Sequence, residues 1–463
     1  MSDFAIHNLF KKSLDEFKEY DPHLMRLKNL PYVYRSGMED EIPLMVPGIY
    51  ILTGGRQIGK STLLKLMILR LLNESKIAPA QIYYLPCDTI DNYKQLLFEI
   101  EQFQQQIKQG EYFCLFIDEI TYVREWDRAV KYLADTGFFF NGSVLITGSD
   151  SVILKEAMMR FPGRRGMSPK QDFHIHPLSF FEYVSLQDKN LAASFAGARD
   201  RFNSGFQIEA GETGRIAELF GYFDKYLLTG GYVVALNDHA KNNLISPAVY
   251  KTYAQWIVGD MLKKGKQESY LKEIIRALIP RIAKQITLHN ITAEMSIEHH
   301  QTVANYFNIL EQMDVIFIQY ALREDKFQAA IKKAKKVNFC DPFVFHAMHA
   351  WEKNMEDCFA LTQKICSENS DMRNSMIEGV ISSLFKRRFD TYYIKAEQEV
   401  DIALVSSKKI FPIEIKCSLV LNKKDLKQII KYKKGIVGYR GQQVFTIDQL
   451  DVVPIPLLAL LAV

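Results

Sequence analysis

Between residues 46 and 170, short apolar runs alternate with helical stretches. The runs are Ile49–Leu52, Gln81–Leu85, Tyr112–Ile117 and Ser143–Ile146. Helices are expected from Ser61, where Leu63, Leu64, Leu66, Met67 and Leu69 supply an apolar face, around 92–108, and near 126–135. This alternation predicts a parallel sheet with helices on both faces. Upstream, residues 1–45 read as helical around Leu9, Leu14 and Phe17, then loop through Pro31 and Pro43.

Beyond residue 175 the period changes. Residues 175–265 are mostly helical by pattern, with a break at Gly230-Gly231. Three helical segments follow (Tyr270–Ala283, Ile286–Met295, His299–Met313), then an apolar strand at Val315–Tyr320, a turn at Arg323-Glu324-Asp325 and a return near Lys336–Phe339. In the third segment Val303, Phe307 and Leu310 recur at i, i+4 and i+7, while His300, Gln301 and Asn305 take the other face. This order suggests a winged helix, whose third helix can enter a major groove. A small packing module with polar helix faces fits the same pattern. Lys326, Lys332, Lys333, Lys335 and Lys336 would suit phosphate contacts. The final stretch, Val453–Val463, is apolar but shorter than the ~20 residues a bilayer span needs. It is expected to be a strand or tail packed on the fold.

Composition adds limits. A chain of 463 residues, 48% hydrophobic and 24% charged, has the make-up of a soluble globular protein. At roughly 150 residues per domain it should hold about three domains. The net charge of +4 is too small to argue for nucleic acid by itself. Six scattered cysteines without a Cys-x-x-Cys pair suit a reducing, cytoplasmic setting. Met1-Ser2-Asp3 leads into an amphipathic helix and lacks the charged leader of a secretory signal.

The chemistry concentrates in three places. Behind the first apolar run comes Gly54-Gly55-Arg56-Gln57-Ile58-Gly59-Lys60-Ser61-Thr62, a Gly-x-x-x-x-Gly-Lys-Ser/Thr loop that opens a helix. In a strand–loop–helix context its glycines turn backbone N–H groups onto phosphates, with the helix N-terminus adding partial positive charge. Lys60 would reach the β and γ phosphates of ATP, and Ser61 would hold Mg²⁺. The run Tyr112–Ile117 ends in Asp118-Glu119, at the sheet edge where such folds place ligands. Asp118 would support Mg²⁺ through its water shell, and Glu119 would orient the attacking water. After Ser143–Ile146, Thr147 or Ser149 is the candidate γ-phosphate sensor. In Pro162-Gly163-Arg164-Arg165-Gly166, Arg164 or Arg165 would neutralise transferring charge, or the two arginines are simply solvated.

The third place is C-terminal. Val400–Val405 and Ile410–Lys416 flank a turn at Ser406–Lys409. Pairing Val405 with Ile410 sets Asp401 opposite Glu414, and paired Cβ atoms lie about 5 Å apart, close enough to share a metal. Glu414 and Lys416 share a face, and Glu378 on the preceding helix could turn toward the same point. Such a set suits metal-assisted phosphodiester hydrolysis. A solvated edge hairpin is the plainer alternative, and Pro412 suits an edge strand. Lys423, Lys424, Lys427, Lys431, Lys433 and Lys434 then line a helical stretch, either a backbone-binding surface or a solvated face.

Together these motifs resemble the AAA+-like, STAND-related P-loop ATPases of bacteria and archaea that carry a C-terminal domain of unknown function. The similarity runs from about residue 20 to the end. It includes TGGRQIGKST and IDEI, Lys131–Phe140, Leu145–Ser151, Gly163–Tyr183, Leu227–Tyr232, Phe339–Pro342 and the stretches around Glu378, Asp401 and Lys416. The resemblance implies an α/β architecture: a P-loop NTPase parallel sheet with a helical lid, a winged-helix module and a C-terminal restriction-endonuclease-like domain. The boundaries are then 1–45, an N-terminal helical segment; 46–175, the ATPase core; 176–265, the lid; 266–340, the winged-helix-like module; and 341–463, the nuclease-like domain. It implies Glu378, Asp401, Glu414 and Lys416 as the nuclease-type positions; the motifs themselves make ATP and Mg²⁺ the expected cofactors, with DNA, a protein or a second copy of the chain as candidate partners. Val400 departs from it, standing where many such nucleases place proline before the aspartate.

Overall fold

The computed structural model describes residues 4–148, 154, 159, 163–206, 214–368 and 370–462. They divide into two compact units, Met1–His176 and Pro177–Val463.

In the first unit, β1 (Gly48–Gly54), β2 (Ile82–Pro86), β3 (Phe113–Asp118), β4 (Gly142–Thr147) and β5 (Asp172–Ile175) form one sheet in the order β2-β3-β4-β1-β5. Every neighbouring pair is parallel. Alternate residues feed two cores, as strands covered on both sides require. Ile49, Ile51, Leu85, Leu115, Ile117 and Ile146 pack with Leu96 and Ile100 of a helix at Tyr93–Gln104 and Ala129 and Val130 of another at Trp126–Asp135. Tyr50, Leu52, Tyr84, Phe116 and Leu145 face the other way, onto Leu63, Leu64 and Met67 of the helix Lys60–Asn73.

The N-terminal segment belongs to that second core. Phe10, Phe17 and Leu24 lie in it, carried by a 3₁₀ turn at Ala5–Lys11 and the helices α1 (Leu14–Tyr20) and α2 (Pro22–Leu27). We number Lys60–Asn73 as α3, Tyr93–Gln104 as α4 and Trp126–Asp135 as α5. Asn8 covers the outer edge of β2: its Nδ2 donates to Tyr84 O and its Oδ1 accepts from Tyr84 N–H, both at 2.8 Å. One side chain thus supplies the bonds a neighbouring strand would make.

The second unit begins with helices between Phe180 and Lys263. The predicted break at Gly230-Gly231 is a close approach. A Cβ on Gly231 would lie 2.2 Å from Leu178 O, and the Gly231 N–H donates to Asp341 Oδ2 at 2.8 Å. Asp341 also caps the helix Pro342–Lys353 through Phe343 N–H. Then come α6 (Glu268–Leu278), α7 (Leu288–Thr292), α8 (His300–Gln312), β6 (Ile316–Tyr320), a small pair β7 (Leu322–Arg323) and β8 (Gln328–Ala329), and β9 (Lys335–Phe339). β6 and β9 are antiparallel. Val303, Phe307 and Leu310 of α8 are buried while His300, Gln301 and Asn305 are exposed.

The C-terminal sheet is mixed. β10 (Asp390–Lys395), β11 (Glu399–Ser406), β12 (Lys409–Lys416), β13 (Gly435–Tyr439), β14 (Phe445–Ile447) and β15 (Leu450–Pro454) run in the order β10-β11-β12-β13-β15-β14. Helix α9 (Asp371–Lys386) precedes it. The hairpin register pairs Val405 with Ile410 and Ile402 with Ile413. β12 is interior, contrary to the edge position that Pro412 suggests. Pairing with β13 starts at Ile413, one residue after the proline, so the missing N–H costs that ladder nothing. The apolar terminus is neither a plain strand nor a loose tail: β15 ends at Pro454 and a fully buried helix, α10 (Ile455–Leu461), follows. No helix among the described residues is long and apolar enough to cross a membrane.

Candidate functional site

The glycine loop stands between β1 and α3. Gly54 (φ 149°) passes so close to β5 that a Cβ would lie 2.5 Å from Ile175 Cγ2, so only glycine fits. Gln57 (φ 55°) and Gly59 (φ 101°) are left-handed, curling the chain back on itself. Gly59 caps α3 without a side-chain acceptor, and Ser61 and Thr62 lie in the first turn, whose N–H groups have no intrahelical partner. The Lys60 ammonium, 5% exposed, donates to Gly54 O and Gly55 O at 3.0 Å.

β3 delivers the acids. Asp118 is buried; its Oδ2 accepts from Tyr84 Oη at 2.6 Å and its Oδ1 from the Thr147 hydroxyl. Glu119 has left-handed backbone angles (φ 54°, ψ 45°), unusual for a non-glycine residue, and its N–H donates to Thr147 Oγ1 at 3.0 Å. Its carboxylate lies 3.8 Å from Lys60 Nζ. Lys60, Asp118, Glu119 and Thr147 thus converge at the carboxyl edge of β1, β3 and β4. The Thr147 hydroxyl donates to Asp118 and accepts from the Glu119 N–H, tying the end of β4 to the acidic end of β3. Ser149 to Ser151, Pro162 and Met1 to Asp3 lie outside the described residues.

Arg164 requires a correction. It pairs with Asp135, and Arg165 grips Asp172 at 2.8 Å. The Arg165 carbonyl accepts from Ile49 N–H, and Gly166 bridges Gly48. That is the opposite end of β1 from the glycine loop. Seven residues of strand separate the two ends, roughly 20 Å at about 3.3 Å per residue. Neither arginine completes this site within one chain.

Sequence reasoning missed the support behind Asp118. Lys65 is fully buried, 3.0 Å from Asp21 and donating to His7 O at 2.7 Å. Its ammonium lies 3.5 Å from the centre of the Tyr84 ring. Burial lowers the Lys65 pKa, opposed by Asp21; burial and then Asp118 push the Tyr84 hydroxyl well above its ordinary value. The one available signal was a lysine among Leu63, Leu64, Leu66 and Met67.

In the second unit, Glu378, Asp401, Glu414 and Lys416 come together. Asp401 N–H donates to Glu414 Oε2 at 3.3 Å, Ile415 N–H donates to Asp401 Oδ2 at 2.8 Å, and Lys416 Nζ lies 2.6 Å from Glu414 Oε1. Two further residues, unforeseen, complete the group. Glu399 joins Glu378 and Asp401, with one oxygen of each within 4.8 Å of the others. Lys336, which the lysine run suggested was a surface cation, is fully buried at their focus. It lies 2.6 Å from Glu378 and 3.7 Å from Asp401, and contacts Glu399. Burial opposes its charge, but Glu378, Asp401 and Glu399 outweigh that and hold the ammonium above its ordinary range. Burial and then Asp401 push both Glu378 and Glu414 up to about 8. A cavity of about 640 Å³ opens against Glu378, Glu399 and Lys416. Lys423, Lys424, Lys427, Lys431, Lys433 and Lys434 are exposed, the first three on short turns of helix and the others in the loop that follows.

The AAA domain family model matches residues 47–184. Two models described as domains of unknown function, DUF8612 and DUF4143, match residues 221–355 and 375–458. An uncharacterised protein of Methanocaldococcus jannaschii is 23% identical over 95% of this chain and 89% of its own length. A second from that organism is 25% identical over 44% of this chain and 39% of its own. Among solved structures, the Walker-type ATPase of Pyrococcus abyssi is similar with a TM-score of 0.41 and 14% identity, covering 67% of this chain and 94% of that one. The ORC2 protein of Aeropyrum pernix gives 0.36 and 11%, covering 70% and 96%.

Proposed function

We propose that the chain is a Mg²⁺-dependent ATPase whose nucleotide state is passed to its C-terminal domain. The observation that supports this most is the convergence of Lys60 and Glu119, 3.8 Å apart, beside a doubly bonded Asp118. The residues fit a nucleoside triphosphate and its metal. The loop is a glycine cradle at an uncapped helix N-terminus, and the buried Lys60 ammonium is held there by two backbone carbonyls. Bound Mg²⁺ would neutralise charge between the β and γ phosphates. Lys60 exchanges its loop carbonyls for phosphate oxygens, and the first-turn N–H groups of α3 bind the rest. Ser61 would hold the metal, with Asp118 supporting it through its water shell. Glu119 orients and polarises the attacking water, its angle fixed by the Thr147 bond. ATP retention and phosphate release test this reading. Lys60→Ala should abolish retention, whereas Glu119→Gln should retain ATP and turn over slower by a factor of roughly 10² or more. Equal loss of both activities in Glu119→Gln would remove that residue from its role.

For the C-terminal half two outputs compete: a DNA-associated nuclease under ATP control, through a winged-helix module at 266–340 and the Glu378, Asp401, Glu414 and Lys416 set, or a nucleotide-dependent switch that binds DNA or a protein without nuclease chemistry. Lys336 at the focus of the carboxylates favours the switch. Mg²⁺-dependent cleavage of linear, circular or branched DNA that Asp401→Ala abolishes would reverse that preference.

A further inference from the structure

The carboxylate group in the second unit is partly charge-compensated from within, two ammonium groups facing four acids. Glu378 comes from α9, Glu399 and Asp401 from β11, Glu414 from β12. Lys416 serves Glu414 at 2.6 Å, and Lys336 serves the other three. Lys336 arrives from β9, an element of the preceding module, and several bonds fix its position. β9 pairs with β6, setting Lys336 opposite Gln319. The fully buried Gln319 donates through Nε2 to Tyr392 O and Asp401 O, both at 2.9 Å. Tyr393 Oη bonds Ala334 O, two residues before the lysine. Sliding β9 by one residue would break this set and turn Lys336 to the other face.

An ammonium carries three donors and one positive charge, and here it faces three carboxylates whose oxygens crowd within 4.8 Å. Carboxylates this close, Asp401 buried and Glu378 and Glu399 partly so, repel one another, and Lys336 supplies a cation among them. We propose that the Lys336 ammonium is the resident cation of this centre, taking the position a divalent metal would need and closing the centre to Mg²⁺. The cavity of about 640 Å³ beside Glu378 and Glu399 gives ions and water access, so exclusion comes from occupancy and charge rather than from a blocked path. The inference rests on the switch reading of the C-terminal half and explains it: without a metal, the Asp401, Glu414 and Lys416 set lacks the Lewis acid that metal-assisted phosphodiester hydrolysis uses.

Mn²⁺ titration of the full-length chain without nucleotide, read by electron paramagnetic resonance, tests this. Wild type should show no Asp401-dependent Mn²⁺ site tighter than ~1 mM, so Asp401→Asn changes nothing. Lys336→Met should gain one Mn²⁺ per chain, at least about tenfold tighter, and lose it again when Asp401→Asn is added. Lys336→Arg, which keeps the charge, should behave as wild type. A wild-type site of sub-millimolar affinity that Asp401→Asn removes overturns the proposal, and needs no folded lysine variant. So does a folded Lys336→Met protein that gains no Mn²⁺. ATP hydrolysis and DNA cleavage by the same preparations keep the failures apart: cleavage by wild type would sink the switch reading, whereas a Lys336→Met protein that turns over ATP but gains no Mn²⁺ sinks only the lysine assignment.

Discussion

Tyr84 Oη donates to Asp118 Oδ2 at 2.6 Å, so a residue on the edge strand of the first sheet holds the carboxylate assigned to magnesium. The Thr147 hydroxyl takes the other oxygen, leaving Asp118 little rotational freedom. Tyr84→Phe should keep ATP binding in the absence of magnesium. It should raise the Mg²⁺ concentration for half-maximal turnover severalfold and cost about 1–3 kcal/mol of stability, the usual value of a buried bond to a charged group. Magnesium titrations of the ATPase rate check it, and an unchanged midpoint would detach Tyr84 from the site.

Lys65 and Asp21 form a fully buried ion pair next to that tyrosine. Removing one partner leaves an uncompensated charge, so Asp21→Asn or Lys65→Met alone should destabilise the first unit by about 3–5 kcal/mol. The double variant Asp21→Leu/Lys65→Met should be milder than either single change. Chemical denaturation followed at Trp126 measures this, and additive losses would show that the two residues act independently.

The second unit should weaken in mild acid. His346 Nε2 donates to Leu227 O at 2.9 Å, while its buried Nδ1 has no partner. Burial lowers its pKa to about 4, and burial, then Lys353, does the same for His349. With the folded value below the unfolded one, the neutral imidazole's stabilisation is complete above pH 6.5 and is lost as pH falls toward 4. For His346 this amounts to about 3 kcal/mol. His346→Gln should flatten the fall in a series of urea melts between pH 7 and 4, and a curve parallel to wild type would refute the assignment.

Gly231→Ala would drive a methyl to 2.2 Å from the Leu178 carbonyl. Backbone must move, Asp341 loses its bond to Gly231 N–H, and we expect a loss of about 2–4 kcal/mol, read as a lower melting temperature. A neutral substitution would show that this segment is softer than its contacts imply.

The parts of this molecule legible in the sequence are those whose meaning is local. The glycine loop, the acidic end of β3 and the β11–β12 register depend on residues within one turn or one hairpin, where spacing alone dictates geometry. Arg164 was misplaced because Gly166 returns to Gly48, a bridge that no local period encodes. Lys336 looked like its neighbours Lys332 and Lys333, which are exposed; only the pairing of β9 with β6 turns it inward. Lys65 shares the difficulty, since its partner Asp21 lies on a segment that looked like a separate appendage. Val453–Val463 defeated the period argument because all its residues are apolar, and a helix buried on every side shows no polar face.

Because Lys336 comes from one stretch of sequence and its carboxylates from the next, the junction near residue 340 is no place for scissors. A fragment beginning there would carry three acids stripped of their counterion, and the piece left behind would expose an orphaned ammonium. Whatever signal moves one of these regions must therefore carry the other along.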